Sequence, residues 1–156
     1  LISGGSSVGL KDVTAKVIDD LGEPGVFVHG LAVKPGKPTI IGKVKNKAVF
    51  GLPGHPVSAM IICRIIVGFL INRMISGENI EDVYLEAISK ENIHSSPGKE
   101  TYQMVELIRE DGKVYAQPIY GKSGSISTLI HADGFIRINQ NTEGVNKGDK
   151  VWVIRL

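Results

Sequence analysis

The spacing of apolar residues follows one rhythm up to about residue 77 and another after it. In the first part, Val13, Val17, Ile18 and Leu21 recur at helical intervals. They predict a helix from about Lys11 to Leu21 with those four side chains on its buried face and Gly22 as its stop. Continuous or alternating apolar runs predict strands over Val26–Val33, Thr39–Val44 and Ala48–Leu52, the last two joined by a Lys45-Asn46-Lys47 turn. Leu1-Ile2-Ser3 reads as the end of a buried strand. The longest apolar stretch, Val57 to Ile75, predicts a long helix. Arg64, Asn72 and Arg73 within it fit a buried helix of a soluble protein better than a membrane span.

Beyond Ser76-Gly77-Glu78-Asn79 only short runs remain: Val83–Ser89, Thr101–Arg109, Lys113–Tyr120, Gly134–Asn139 and Lys150–Arg155. Glu110-Asp111-Gly112-Lys113 has the Asp-Gly centre of a tight hairpin. The only helix expected here is a turn near Ser125–Ala132. The fold class is therefore α/β followed by a small all-β barrel, with domains at 1–77 and 78–156. If the three strands from Val26 to Leu52 alternate in direction, the Lys34–Pro38 and Pro53–Pro56 loops lie at one end of the sheet. The Gly4–Gly9 loop joins them if Leu1–Ser3 runs parallel, because ligands bind such sheets at the carboxyl edge.

Composition narrows the function classes. The 156 residues are 42% hydrophobic and 22% charged, enough for a packed core. Eighteen Lys+Arg against 16 Asp+Glu leave a net charge of +2, too small an excess to argue for nucleic acid or an anionic membrane as partner. A single cysteine, Cys63, excludes an internal disulfide and a Cys-cluster metal site, and fits a cytoplasmic protein. No basic segment precedes an apolar run at the start, as a signal peptide would require. Leu1, at the end of a strand, suggests a portion of a longer protein.

The glycines and prolines, 19 and seven of them, bunch at three loops that could carry chemistry. Gly4-Gly5-Ser6-Ser7-Val8-Gly9 at a strand-to-helix junction is either an ordinary tight turn or an anion cradle. In the second case glycine lets backbone N–H groups approach a phosphate and the helix start favours negative charge. Asp12, one turn on, is either a carboxylate favoured by the helix dipole or one placed beside a phosphate to hold Mg²⁺ or polarise water. Lys34-Pro35-Gly36-Lys37-Pro38 sets two ammonium groups on a stiffened turn, which suits a doubly charged oxyanion. Gly51-Leu52-Pro53-Gly54-His55-Pro56-Val57-Ser58-Ala59 ends a strand and opens a helix. Pro56 suits the first helical turn, and the Ser58 hydroxyl either caps that helix or meets a ligand. His55 could meet a ligand or be merely exposed. His29, His94 and His131 are too scattered for a metal site.

In order and spacing, the motifs at 3–9 with Asp12, 34–38 and 51–59 resemble those of the molybdenum-insertase family, the MoeA/gephyrin E-domain molybdopterin molybdenumtransferases. Gly121-Lys122-Ser123-Gly124-Ser125 and Ala132-Asp133-Gly134-Phe135-Ile136 extend the resemblance into the family's final domain. It implies a partial, three-layer MogA-like molybdopterin-binding domain followed by a MoeA-type barrel. It also implies molybdenum cofactor biosynthesis: hydrolysis of adenylylated molybdopterin and insertion of molybdate, with release of AMP. The chain would then be a C-terminal portion, inactive alone and normally part of a homodimer. A non-catalytic molybdopterin-binding or scaffold module is the alternative.

On this resemblance Asp12 is the catalytic aspartate near Mg²⁺. Gly4, Gly5, Ser6, Ser7 and Gly9 hold phosphate groups. Lys34, Pro35, Gly36, Lys37, Pro53, Gly54, Pro56 and Ser58 form the substrate site, and Ser125 helps close it. Two positions depart from the family: His55 stands where many members have Asn, and Lys99 where they have Arg, so a bidentate oxyanion clamp would be weakened.

Overall fold

The computed structural model describes residues 1–3, 13–77, 83–121 and 124–156. The Gly4–Gly9 loop, Asp12, Lys122 and Ser123 lie outside them. The first sheet has four strands in the order β1-β5-β4-β2. They are β1 (Ile2–Ser3), β2 (Pro24–His29), β4 (Ile40–Val44) and β5 (Lys47–Leu52). β1 runs parallel to β5, with Ile2 opposite Gly51, while β4 is antiparallel to both its neighbours. The turn between β4 and β5 places Lys45 at a positive φ of 54°.

Helix α1 (Val13–Asp20) covers this sheet, but not with the predicted face. Thr14 and Ile18 are the buried residues, whereas Val13, Val17 and Leu21 are exposed. The buried stripe is shifted towards Thr14, which lies about 100° round the helix from Val13. The reason lies in the sheet. At Gly51 a β-carbon would stand 3.1 Å from the Thr14 methyl and 3.1 Å from Ile40 Cβ, so the helix settles where glycine leaves room.

The predicted strand Val26–Val33 is in fact two strands in different sheets. Gly30, at φ 98°, turns the chain out of β2. Leu31 N still donates to Lys37 O at 2.8 Å, and β3 (Val33–Lys34) then pairs in parallel with a strand of the barrel. One apolar run hides the break because the turn needs only a single glycine.

The long helix α2 spans Pro56–Ser76, with a π-helical segment at Cys63–Val67 and a left-handed Gly77 (φ 71°) as its stop. By length and composition it could cross a membrane. Here its first half is a wedge between two cores. Val57 and Ile61 pack with Tyr102, Met104, Phe135 and Ile154 of the barrel. Ile62 and Val67 pack with Phe50 and Leu52 of β5. Phe69, Ile71, Met74 and Ile75 in its second half are exposed.

The barrel is five strands: β6 (Tyr84–Ser89), β8 (Glu100–Glu110), β9 (Lys113–Pro118), β10 (Gly134–Ile138) and β12 (Lys150–Arg155). They run in the order β10-β12-β6-β9-β8, and β8 closes on β10, with β3 added outside β8. Ala87, Val105, Ala116, Ile136, Ile138, Val151 and Val153 fill the interior with Ile93. The predicted hairpin has Asp111 and Gly112 at φ 48° and 73°, the mirror-image turn that Asp-Gly favours. A two-stranded ribbon, β7 (Ile93–His94) with β11 (Gly144–Val145), and the short helix α3 (Ser127–Ile130) complete the fold. α3 falls inside the expected turn; β3, β7 and β11 are too short to leave a periodic signal.

Candidate anion-binding site

The site is a cavity of about 810 Å³ between the first sheet, the start of α2 and the barrel. Two proline-stiffened corners make one wall, as the alternation of strand directions predicts. From the β3–β4 corner come Lys34, Pro35, Gly36 and Lys37; from the β5–α2 corner come Pro53, Gly54, His55 and Ser58. Pro56 opens α2 at its first turn but does not line the cavity. The first corner is held by Thr39, whose hydroxyl donates to Gly36 O at 2.7 Å, and the Lys34–Pro35 bond is cis. Gly36 adopts φ 118°, and a β-carbon there would lie 2.7 Å from Ile62 Cδ1. Glycine is thus what lets the corner rest directly on α2.

The barrel supplies the opposite wall: His94, Lys99, Thr101, Tyr102, Tyr120 and Thr128 among others. The pairing of β3 with β8 sets Lys34 opposite Thr101, so a cation of one wall and a hydroxyl of the other share a register. Among the described lining residues, Lys34, Lys37 and Lys99 are permanent cations, and no carboxylate faces the cavity. The nearby acid, Glu100, is compensated elsewhere. Its carboxylate accepts from the Tyr102 hydroxyl and from Arg137 Nε, both at 2.6 Å. Burial and then the bond to Glu100 hold the Tyr102 phenol well above its ordinary range, so it stays neutral. The same carboxylate raises the Arg137 guanidinium.

Besides the Tyr102 phenol, three aliphatic hydroxyls are buried in the described lining: Ser58, Thr101 and Thr128, at 4%, 5% and 7% exposure. Thr101 Oγ1 accepts from Ser96 N at 3.2 Å. Ser58 does not cap its helix, whose N-cap is His55. Among the described residues neither Ser58 nor Thr128 has a side-chain hydrogen-bond partner, and each keeps a proton to donate. A buried, unpaired hydroxyl costs about 1–3 kcal/mol, a cost that a bound oxyanion removes.

Ser125 sits differently from the sequence expectation. It lines an adjoining cavity of about 420 Å³ with Ser127 and His131, and its hydroxyl bonds that of Ser127 at 2.6 Å. Tyr120, Gly121 and Thr128 border both cavities. Sequence reasoning missed Thr101, Tyr120 and Thr128, because their positions depend on barrel closure rather than on any local motif. The Gly4–Gly9 loop and Asp12 lie outside the described residues. Among the described residues no group of three or more His, Cys, Asp or Glu could hold a metal ion. The described lining residues offer Mg²⁺ no carboxylate, and Asp12 lies outside the described residues.

Comparison with known proteins matches both parts of this architecture. Residues 1–72 match the probable molybdopterin binding domain, and residues 86–156 match the MoeA C-terminal region (domain IV). These matches define a chain built from a molybdopterin-binding type of sheet domain and a MoeA type of barrel. A molybdopterin biosynthesis protein of Methanocaldococcus jannaschii is 36% identical over all of this chain, which covers 36% of that protein. The molybdopterin molybdenumtransferase of Haemophilus influenzae is 32% identical over 98% of the chain, covering 38% of the enzyme. Among solved structures, the molybdopterin biosynthesis MoeA protein of Pyrococcus horikosii superposes with a TM-score of 0.79 at 38% identity. That match covers 92% of this chain and 34% of that one. Through these two domains the chain belongs to the MoeA family, and it spans little more than a third of the length of these relatives.

Proposed function

We propose that the chain forms the molybdate-binding face of a molybdopterin molybdenumtransferase, which hydrolyses adenylylated molybdopterin, releases AMP and inserts molybdate. One observation carries the reading: a cavity with three lysines, no described carboxylate and two unpaired buried hydroxyls matches a tetrahedral dianion in charge and in donors. Lys34 and Lys37 neutralise the charge, and Pro35, Gly36, Pro53, Gly54 and Pro56 fix the corners that present it. Ser58 donates a hydrogen bond. Gly4, Gly5, Ser6, Ser7 and Gly9 take the adenylate side, where Asp12 orients the attacking water. No step is routed through Mg²⁺, for which the described lining residues supply no carboxylate. Ser125, in the adjoining cavity, contacts the more remote part of the substrate.

The same reading includes a boundary between domains at residues 77 and 78, supported by family matches that end at 72 and begin at 86. It includes a homodimer, supported by the exposed apolar second half of α2, and a cytoplasmic setting, supported by a lone, free Cys63.

The test has two parts. Calorimetry measures binding of molybdate and adenylylated molybdopterin to the chain. Cofactor formation is measured in the Haemophilus influenzae enzyme with its matched region replaced by this chain. Binding that is lost in the Lys34→Ala/Lys37→Ala variant, and turnover lost with Asp12→Asn, are the expected results. Undiminished binding and turnover in these variants would overturn the reading.

A further inference from the structure

Tyr120 stands where the two cavities meet, and binding of an oxyanion to the lysines makes no use of it. It borders both cavities, with 61% of its surface exposed. An exposed aromatic side chain is ordinarily free to turn, but this one is fixed at both ends. Its hydroxyl donates to Asn92 O at 3.0 Å, and Asn92 is itself held, because its Oδ1 accepts from Lys147 N at 2.7 Å. The backbone just before Tyr120 is pinned as well. Ile119 N donates to Met104 O at 2.9 Å, and Ile119 O accepts from Gln103 Nε2 at 2.8 Å. The ring is therefore held in one place before anything binds, which lowers the entropic cost of using it.

The two cavities differ in kind. The larger carries Lys34, Lys37 and Lys99, whereas the adjoining one has no lysine, arginine or carboxylate among its described lining residues. Its polar groups are hydroxyls and the imidazole of His131. The Ser125 and Ser127 hydroxyls bond each other at 2.6 Å, which uses one of their two protons and leaves the other, with the spare lone pairs, for a ligand. Thr128 lies at the seam, since a β-carbon at Gly121 would stand 2.7 Å from its Oγ1. A cationic chamber, an uncharged one beside it and a fixed aromatic between them suit a ligand with an anionic head and a neutral, flat body. We infer that Tyr120 is a substrate-binding residue whose ring is a stacking platform for a planar nitrogen heterocycle, the heterocycle's oxyanion lying in the lysine cavity and its polar edge against the Ser125–Ser127 pair. This rests on the proposed reading of the lysine cavity as an oxyanion site, and names the residue that selects for a ring attached to the anion. Every flat heterocycle has a π-face to offer, so stacking on Tyr120 accepts a pterin or a purine, the two rings of an adenylylated pterin.

The probes are pterinylmethyl phosphate and AMP, with methyl phosphate as the ringless anion, and their affinities for the chain are measured by calorimetry and NMR. Wild type is expected to bind at least one ring-bearing ester about tenfold more tightly than methyl phosphate. The tighter of the two identifies the ring that this subsite takes. Tyr120→Ala should bring the ratio close to unity. Tyr120→Phe keeps the platform and loses the bond to Asn92, so it should retain a preference of about threefold. A purely structural role for Tyr120 would weaken all three ligands alike and leave the ratio where it was. In wild type the Tyr120 ring protons should move upfield with the ring-bearing ester and not with methyl phosphate. Methyl phosphate bound as tightly as both esters, or a ring preference that survives Tyr120→Ala, would overturn this inference and leave the oxyanion site standing. Absence of binding by all three probes would remove both.

Discussion

Gly36→Ala tests whether the lysine corner is held by its contact with α2. The residue has φ 118°, a region in which an L side chain is strained by about 1–3 kcal/mol. The new methyl would also lie 2.7 Å from Ile62 Cδ1 and 2.9 Å from Ile62 Cγ1, and Ile62 has no exposed surface to move into. Overpacking of this kind costs about 1–3 kcal/mol. Together the two effects predict a loss of about 3 kcal/mol, or about 6–12 °C in Tm for a chain of this size. Ile62→Val removes Cδ1, the nearer of the two atoms, at a cost of about 1 kcal/mol by itself. In the Gly36→Ala background it should be nearly neutral or stabilising, so a double-mutant cycle returns a coupling of about 1 kcal/mol. The assay is urea unfolding of the four proteins, with oxyanion affinity measured on the same samples. Where the corner yields instead of the core, stability falls little but affinity falls steeply, as Lys34 and Lys37 move together. A Gly36→Ala protein with both unchanged would refute the claim that this glycine seats the corner.

Three further outcomes follow from the same geometry. Lys34→Ala/Lys37→Ala should lower molybdate affinity at least about tenfold with little change in Tm, since both side chains are exposed; calorimetry and a thermal melt separate the two. Thr128→Val keeps the shape but removes an unpaired buried hydroxyl, so it should leave the fold as stable or more so while weakening oxyanion binding several-fold. Ser125→Ala, in the adjoining cavity, should leave molybdate binding unchanged in the same titration. Tyr102→Phe tests the raised phenol. Its proton is retained in the folded protein after the unfolded chain has lost it, so its stabilisation is present below about pH 10 and declines above that. The stability gap between wild type and Tyr102→Phe should narrow by about 1 kcal/mol between about pH 9 and about pH 11, read from urea midpoints.

How much of this was legible in the sequence depended on whether the cause was local. Asp111-Gly112 specifies its turn through the backbone freedom of two adjacent residues, and that expectation is met. Lys34-Pro35-Gly36-Lys37 and Pro53-Gly54-His55-Pro56 declare stiff corners, and strand alternation brings them together. The face of α1 could not be read in the same way. Val13, Val17 and Leu21 are the more apolar stripe, yet the partner surface selects Thr14 and Ile18, because Gly51 on a different strand leaves the room. The hydroxyls of Thr101 and Thr128 belong to the site only because β8 closes on β10 and α3 folds back beside Gly121. Nothing within a few residues of either encodes that.

The least legible element is also the one that assembles the site. β3 is two residues long, with no periodicity to detect, yet it is the strand through which the first half of the chain hydrogen-bonds into the barrel sheet. Glu100 N donates to Ala32 O at 2.9 Å, and Val33 and Lys34 stand opposite Glu100 and Thr101. Because side chains alternate across a strand, a slip of one residue would turn Lys34 to the opposite face of β3. Val33 prevents the slip, since it is packed against the barrel-side core and also against the core under β5. Register at β3 is therefore set by apolar contacts on both sides, and the placement of a cation follows from it. On the proposed reading, oxyanion affinity is coupled to the docking of the two halves, and a substitution that loosens Val33 should weaken both together.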